Sequence, residues 1–181
     1  MQTQSVRDTM QSTDTVVQFS GLKTGTYTYH YTLDDTFFEA FENEEIQHGT
    51  VSFEVVLEKK ERMLVFHFSF HGTMATTCDR CLGPMVVPVE GERIMCVKLS
   101  DDAPEEDEEM TIVPEQTFQI DLAQWMYEYV VMAMPMCHAH DEADCDPDML
   151  QRLEQAHAEA QAEQQAVDPR WAALLNLKEE K

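Results

Sequence analysis

Residues 51–70 read VSFEVVLEKKERMLVFHFSF. Val51, Phe53, Val55 and Leu57 alternate with polar or smaller residues, and Leu64, Phe66, Phe68 and Phe70 repeat the pattern. Alternation of this kind, in β-branched and aromatic types, marks strands with one buried face. The polar EKKER between the two runs has the length of a hairpin turn. The Phe and Val rows therefore predict a hairpin at the centre of the core. Each fully buried member would contribute about 1.5–3 kcal/mol.

Working outward, Val16 and Val17 open an apolar stretch that ends at Gly21, and residues 26–32, TYTYHYT, alternate again and predict a strand. Phe37, Phe38 and Phe41 have helical spacing behind Asp35 as a cap, which predicts a short helix or turn over Asp34 to Glu45. Beyond the hairpin, Met85 to Leu99 reads as a strand or strand pair bent near Pro88 or Gly91. Thr111 to Ile120 reads as a short strand interrupted by Pro114. Helical signals then take over. Asp121 with Gln124 forms a capping-box pattern. Leu122, Trp125, Met126, Tyr129 and Ala133 share one face, and Pro135 ends the helix. Asp148 to Gln165 has no Gly or Pro and predicts a long exposed helix. Asp168-Pro169 opens a last short helix with Trp171, Leu174 and Leu175 on its apolar face.

Strands first and helices last predict an α+β fold, an antiparallel β-sheet or partly closed β-barrel followed by C-terminal helices. The expected organisation is a disordered tail over 1–14, a β-rich core over 15–146 that includes the helix after Asp121 and a candidate zinc knuckle, and a helical extension over 147–181.

The charge constrains the partners. With 35 acidic and 12 basic residues the chain carries a formal net charge of -23. RNA is a polyanion held mainly through Lys and Arg, and like charges repel over a Debye length of roughly 8–10 Å. The basic residues are scattered and form no patch, so direct binding to naked RNA is disfavoured. A basic protein is the better match. Residues 101–109, DDAPEEDEE, hold seven acids in nine positions and predict an exposed loop. No run approaches the roughly 20 apolar residues that span a bilayer, and the polar first residues lack the apolar core of a secretion signal. A cytoplasmic protein without a membrane association is expected.

In a reducing compartment, close cysteines point to metal rather than disulfides. Cys78 and Cys81 form C-x-x-C, followed by Gly83 and Pro84, a spacing that turns two thiolates toward one cation. A second cluster, CHAHDEADC over 137–145, offers Cys137, His138, His140 and Cys145. Zinc takes four N or S donors in a tetrahedron. Fifty-five residues separate Cys81 from Cys137, so a short-range finger is excluded, whereas a site joining a hairpin end to the loop after a helix is not. The preferred set is Cys78, Cys81, His140 and Cys145, with Cys137 and His138 as substitutes and the ion structural. Cys96, between Ile94, Met95 and Val97, reads as a core thiol.

Other readings compete. A redox pair would need the βαβ surroundings of a low-pKa thiol, which are missing. Unmetallated cysteines are a further alternative. A catalytic zinc would leave a position open, and Glu142 could act as its base, but no pocket pattern accompanies it. His67 and His71 fall opposite the Phe row and read as surface or structural residues. Met126, Met132, Met134 and Met136 read as core or groove lining. No G-x-S-x-G, P-loop or dinucleotide glycine pattern occurs.

Three ordered segments resemble one family. They are Cys78-Asp79-Arg80-Cys81-Leu82, Ile120-Asp121-Leu122 through Tyr127-Glu128 to Met134-Pro135, and Asp168-Pro169-Arg170-Trp171 with Leu174 and Leu177. The pattern is similar to that of the YceD family, over roughly residues 50–178. By that resemblance Cys78 and Cys81 match the first cysteine pair, and Cys145 matches a cysteine after the D-L helix. Many members carry a C-x-x-C type segment there, where this chain has Cys137 and Cys145 with His138 and His140 between. The resemblance implies a non-enzymatic factor in accumulation of 23S ribosomal RNA and assembly of the large subunit. Its partner would be a basic ribosomal protein or a large-subunit assembly intermediate. The alternative is a zinc- or thiol-dependent enzyme, an oxidoreductase or hydrolase.

Overall fold

The computed structural model describes residues 15–43, 46, 48–101 and 110–165. Seven strands run β1 (Val16–Gln18), β2 (Gly25–Leu33), β3 (Gly49–Lys59), β4 (Met63–Thr77), β5 (Pro84–Leu99), β6 (Met110–Val113) and β7 (Gln119–Asp121). The helices are α1 (Asp35–Glu39), α2 (Ala123–Ala133) and α3 (Pro147–Gln165), with a 3-10 turn at Glu142–Asp144. Two compact units result, Met1–Thr77 with Pro84–His138, and Cys78–Gly83 with Ala139–Lys181.

In the first unit five strands form one open sheet in the order β2-β3-β4-β5-β6, and β1 pairs separately with β7. The fold is α+β, and the open sheet is the observed form of the two expected architectures. All neighbours are antiparallel except β5 and β6, which run parallel. The register sets rows of side chains across one face. Tyr31, Phe53, Phe70 and Gly91 make one row, Tyr29, Val55, Phe68 and Arg93 the next, and Tyr27, Leu57, Phe66 and Met95 a third. Val55, Leu57 and Phe66 are fully buried. α2 covers these rows, with Trp125 6.1 Å from Phe66 and Tyr129 5.1 Å from Phe68 between ring centroids. Phe41, just past α1, stacks on Tyr127 of α2 at 4.0 Å.

Several boundaries differ from expectation. The hairpin strands run further in, so only Lys60 to Arg62 turn, closed by a Lys60 N–H donated to the Met63 carbonyl at 2.8 Å. Residues 84–99 are one continuous strand rather than a bent pair. Pro88 lies on its exposed face, and Gly91 makes room for the Phe70 ring, because a Cβ there would lie 2.8 Å from Phe70 Cζ. The stretch from Thr111 to Ile120 is two strands, β6 and β7, with Pro114 between them. Asp34, not Asp35, caps α1, accepting from the Phe37 N–H at 3.4 Å. The capping box at α2 does not form: Asp121 accepts from the Ala123 N–H at 2.9 Å, while the Gln124 amide turns to Glu128 at 2.7 Å.

Cys96 is not a core thiol. Met95 and Val97 take the core side of β5, so Cys96 falls on the opposite face and is half-buried. His67 and His71 lie on that same outer face, with His67 3.7 Å from Glu58. Of the methionines near α2 only Met126 is buried, and Met132 and Met136 are exposed. Among the described residues no helix is long and apolar enough to cross a membrane. The acidic run 102–109, the tail 1–14 and the expected helix from Asp168 lie outside the described residues.

Candidate metal centre

The second unit joins the Cys78–Gly83 turn to the segment from Ala139 onward. Locally the turn is set by two backbone bonds, the Cys78 N–H to the Gly83 carbonyl and the Leu82 N–H to the Cys78 carbonyl, both 2.8 Å. Leu82 pays for the tightness with a left-handed backbone, φ 59°, and an exposed side chain. Across from it, the 3-10 turn at Glu142–Asp144 carries the chain from His140 to Cys145.

The sulfur and nitrogen atoms of Cys78, Cys81, His140 and Cys145 all lie within 4.8 Å of one another. Cys78 Sγ is 4.0 Å from Cys145 Sγ, and Cys81 Sγ is 3.4 Å from His140 Nδ1. Tetrahedral bonds of about 2.3 Å to sulfur and 2.0–2.1 Å to nitrogen imply donor separations of about 3.8 Å and 3.5 Å. The Cys78–Cys145 and Cys81–His140 separations lie close to those values. The three cysteines are buried and His140 is half-buried.

Electrostatics around the thiols differ from one to the next. Burial pushes Cys78 up, but the backbone N–H groups of Cys81, His140 and Arg80 outweigh it and bring the thiol down to about 6. The Arg80 and His140 N–H groups both point at Cys78 Sγ from 3.4 Å. Backbone N–H groups of Asp146 and Gly83, then the His140 ring, hold Cys81 below its ordinary value. Burial and the neighbouring Cys81 and Cys78 thiols push Cys145 up to about 11. Three thiols in one dry cluster do not all ionise without a cation among them. Arg80 brings a cationic side chain beside the cluster, its Nη1 4.0 Å from Cys145 Sγ. Such a donor set, three soft sulfurs and one imidazole, suits zinc.

The substitute donors stand elsewhere. His138 bonds Thr76 Oγ1 at 3.1 Å and the Pro135 carbonyl at 3.3 Å, and Cys137 is exposed. Glu142 is exposed as well. The sequence pattern did not single out Arg80 or the N–H groups aimed at Cys78. The C-x-x-C knuckle was the available signal, since its turn directs amides at the first sulfur.

Residues 66–178 match the family described as Large ribosomal RNA subunit accumulation protein YceD. The chain belongs to the YceD family. That match covers most of the chain and includes every donor of the cluster. The YceD description gives the chain a role connected with the large ribosomal RNA subunit, and it names accumulation rather than a reaction. No curated protein and no solved structure matches the chain.

Proposed function

We propose that this YceD protein is a non-enzymatic factor supporting 23S rRNA accumulation and large-subunit assembly, and that Cys78, Cys81, His140 and Cys145 hold one structural zinc ion. The convergence of these four donors within 4.8 Å carries the metal assignment. Four protein donors fill a tetrahedron and leave no position for a substrate, which favours a structural over a catalytic ion. When bound, the ion neutralises the clustered thiolates. The chain's own part is to bury the sulfurs, aim the Arg80 and His140 amides at Cys78, and fix the His140 ring beside Cys81.

The partner reading rests on charge. A formal net charge of -23 favours a basic ribosomal protein, or an assembly intermediate displaying one, over bare RNA. α3, whose residues 151–161 are all exposed, is a surface for that contact. Cells lacking the gene should show reduced 23S rRNA and a deficit of large subunits on sucrose gradients. Unchanged 23S levels and subunit profiles would refute the assembly role. Tight binding of the purified protein to naked ribosomal RNA at physiological salt would refute the protein-mediated contact. Elemental analysis without one equivalent of zinc would remove the metal from the proposal.

A further inference from the structure

The sheet of the first unit has two edges, and they differ in kind. At one end β6 spans only Met110–Val113 and follows directly on the acidic run 102–109. At the other end β2 runs nine residues from Gly25 to Leu33. Among the described residues no strand pairs with its outer side. Exposed edges are usually blunted by charge, Pro, a bulge or brevity. β2, GTYTYHYTL, has no Lys, Arg, Asp, Glu or Pro, and its pairing with β3 is unbroken.

The ladder fixes which backbone groups face outward. Lys60 N–H donates to the Met63 carbonyl, and Ala75 N–H to the His48 carbonyl, both at 2.8 Å. These bonds continue the β3–β4 register, so even-numbered residues of β3 direct their N–H and C=O at β4. Odd-numbered Val51, Phe53, Val55 and Leu57 then serve β2, where their partners are Leu33, Tyr31, Tyr29 and Tyr27. Thr26, Thr28, His30 and Thr32 are left pointing their backbone N–H and C=O away from the sheet.

Read from either end, Thr26 to Thr32 is nearly the same string, TYTYHYT. We propose that this edge pairs antiparallel with β2 of a second copy, about a two-fold axis through Tyr29, to give one continuous sheet across two chains. A two-fold contact needs a self-complementary patch, and this register supplies one. Thr26 meets Thr32 and Thr28 meets His30, so every outward-facing residue meets another and exchanges both bonds with it. Tyr27 meets Tyr31, and Tyr29 meets its own copy. These tyrosines occupy the non-hydrogen-bonded positions, where side chains are closest and aromatic pairs are favourable. Charge agrees. In a chain of net charge -23 the strand itself is free of acid, so no carboxylates oppose one another along it. Antiparallel pairing also brings Lys23, before β2, toward the end that carries Asp34 and Asp35.

The full chain should sediment as a concentration-dependent monomer and dimer at physiological salt. Thr28→Pro removes an outward N–H that β3 does not use, and proline is tolerated on an edge strand. That variant should keep the wild-type circular dichroism and lose the dimer. Register is read by cross-linking in a Cys137→Ser background. Across the two-fold axis Tyr29→Cys places two Cα atoms about 4.5 Å apart, within disulfide reach, so mild oxidation should give a covalent dimer. Thr26→Cys, whose partner is Thr32, should not. A chain that stays monomeric at every concentration overturns the proposal. So does a dimer that survives Thr28→Pro, or one that cross-links through Thr26→Cys and not Tyr29→Cys.

Discussion

Replacing His140 by Ala removes one of four donors and leaves the three sulfurs in place. Structural zinc in small sites contributes roughly 10–16 kcal/mol of apparent binding free energy at pH 7. Shared over four donors, that is on the order of 2.5–4 kcal/mol each, or roughly 100- to 1,000-fold in affinity. His140 Nδ1 is only 3.4 Å from Cys81 Sγ, so its loss opens one vertex without disturbing the backbone bonds of the turn. With free zinc clamped near 1,000 times the wild-type Kd, saturation stabilises the wild type by about 4.1 kcal/mol. At the same zinc a 100-fold weaker site retains about 1.4 kcal/mol. The difference of about 2.7 kcal/mol corresponds to a fall in Tm of roughly 5–11 °C for a chain of this size. Calorimetry in a zinc buffer gives the Tm, and competition with a chromophoric chelator gives the affinity. His140→Cys, which restores a fourth soft donor, should recover most of both. Wild-type unfolding indifferent to chelation, or a His140→Ala protein that keeps one zinc at unchanged affinity, would refute the reasoning.

Thiol mapping separates exposed Cys137 from the three clustered cysteines. Exposed Cys137 should alkylate first, and Cys78, Cys81 and Cys145 should resist until a chelator is added, as mass spectrometry of labelled peptides would show. Phe66→Ala empties a fully buried position in contact range of Phe68 and Trp125 and should cost about 3–5 kcal/mol in denaturant unfolding, whereas exposed Ile94→Ala should change stability by less than about 0.5 kcal/mol. Asp34 gives a pH dependence. The Thr36 hydroxyl, against the opposing effect of burial and with help from the Phe37 N–H, holds its carboxyl below the ordinary 3.8. A depressed carboxylate stabilises the fold above its unfolded value and loses that contribution as pH falls through the folded one. The stability gap between wild type and Asp34→Ala should therefore be constant near neutrality and close below about pH 4, measured by denaturant titration at each pH.

The central hairpin was legible because a strand with one wet face writes its register into the sequence. Phe66, Phe68 and Phe70 could not alternate as they do and face anywhere but inward. The grouping of Cys78 and Cys81 was legible for a similar reason, since a tight turn leaves few other roles for that spacing. Between His138 and His140 the sequence left a choice, because both are near Cys145. Only three-dimensional structure shows His138 occupied by Thr76 and Pro135. Cys96 misled because apolar neighbours on both sides hide which parity faces the core. β5 was expected to break at Pro88 or Gly91. Yet the register turns the missing N–H of Pro88 away from β4, on a stretch of β5 that β6 does not reach, and the glycine is required by the ring of Phe70 rather than by a bend. The parallel pairing of β6 with β5 was not legible at all, since strand composition carries no direction.

α3 leaves the donor cluster with almost no slack. A single residue, Asp146, separates Cys145 from Pro147, and its carboxylate receives the Asp148 and Met149 N–H groups at 2.8 and 3.4 Å. At about 1.5 Å per residue, the 19 residues of Pro147–Gln165 make a rod about 28 Å long. Tilting such a rod by about 10° at its root displaces its tip by about 5 Å. The hub of four side chains thus acts as the bearing of a pointer, and a label near the tip would register a loosened bearing long before the hub itself had visibly changed.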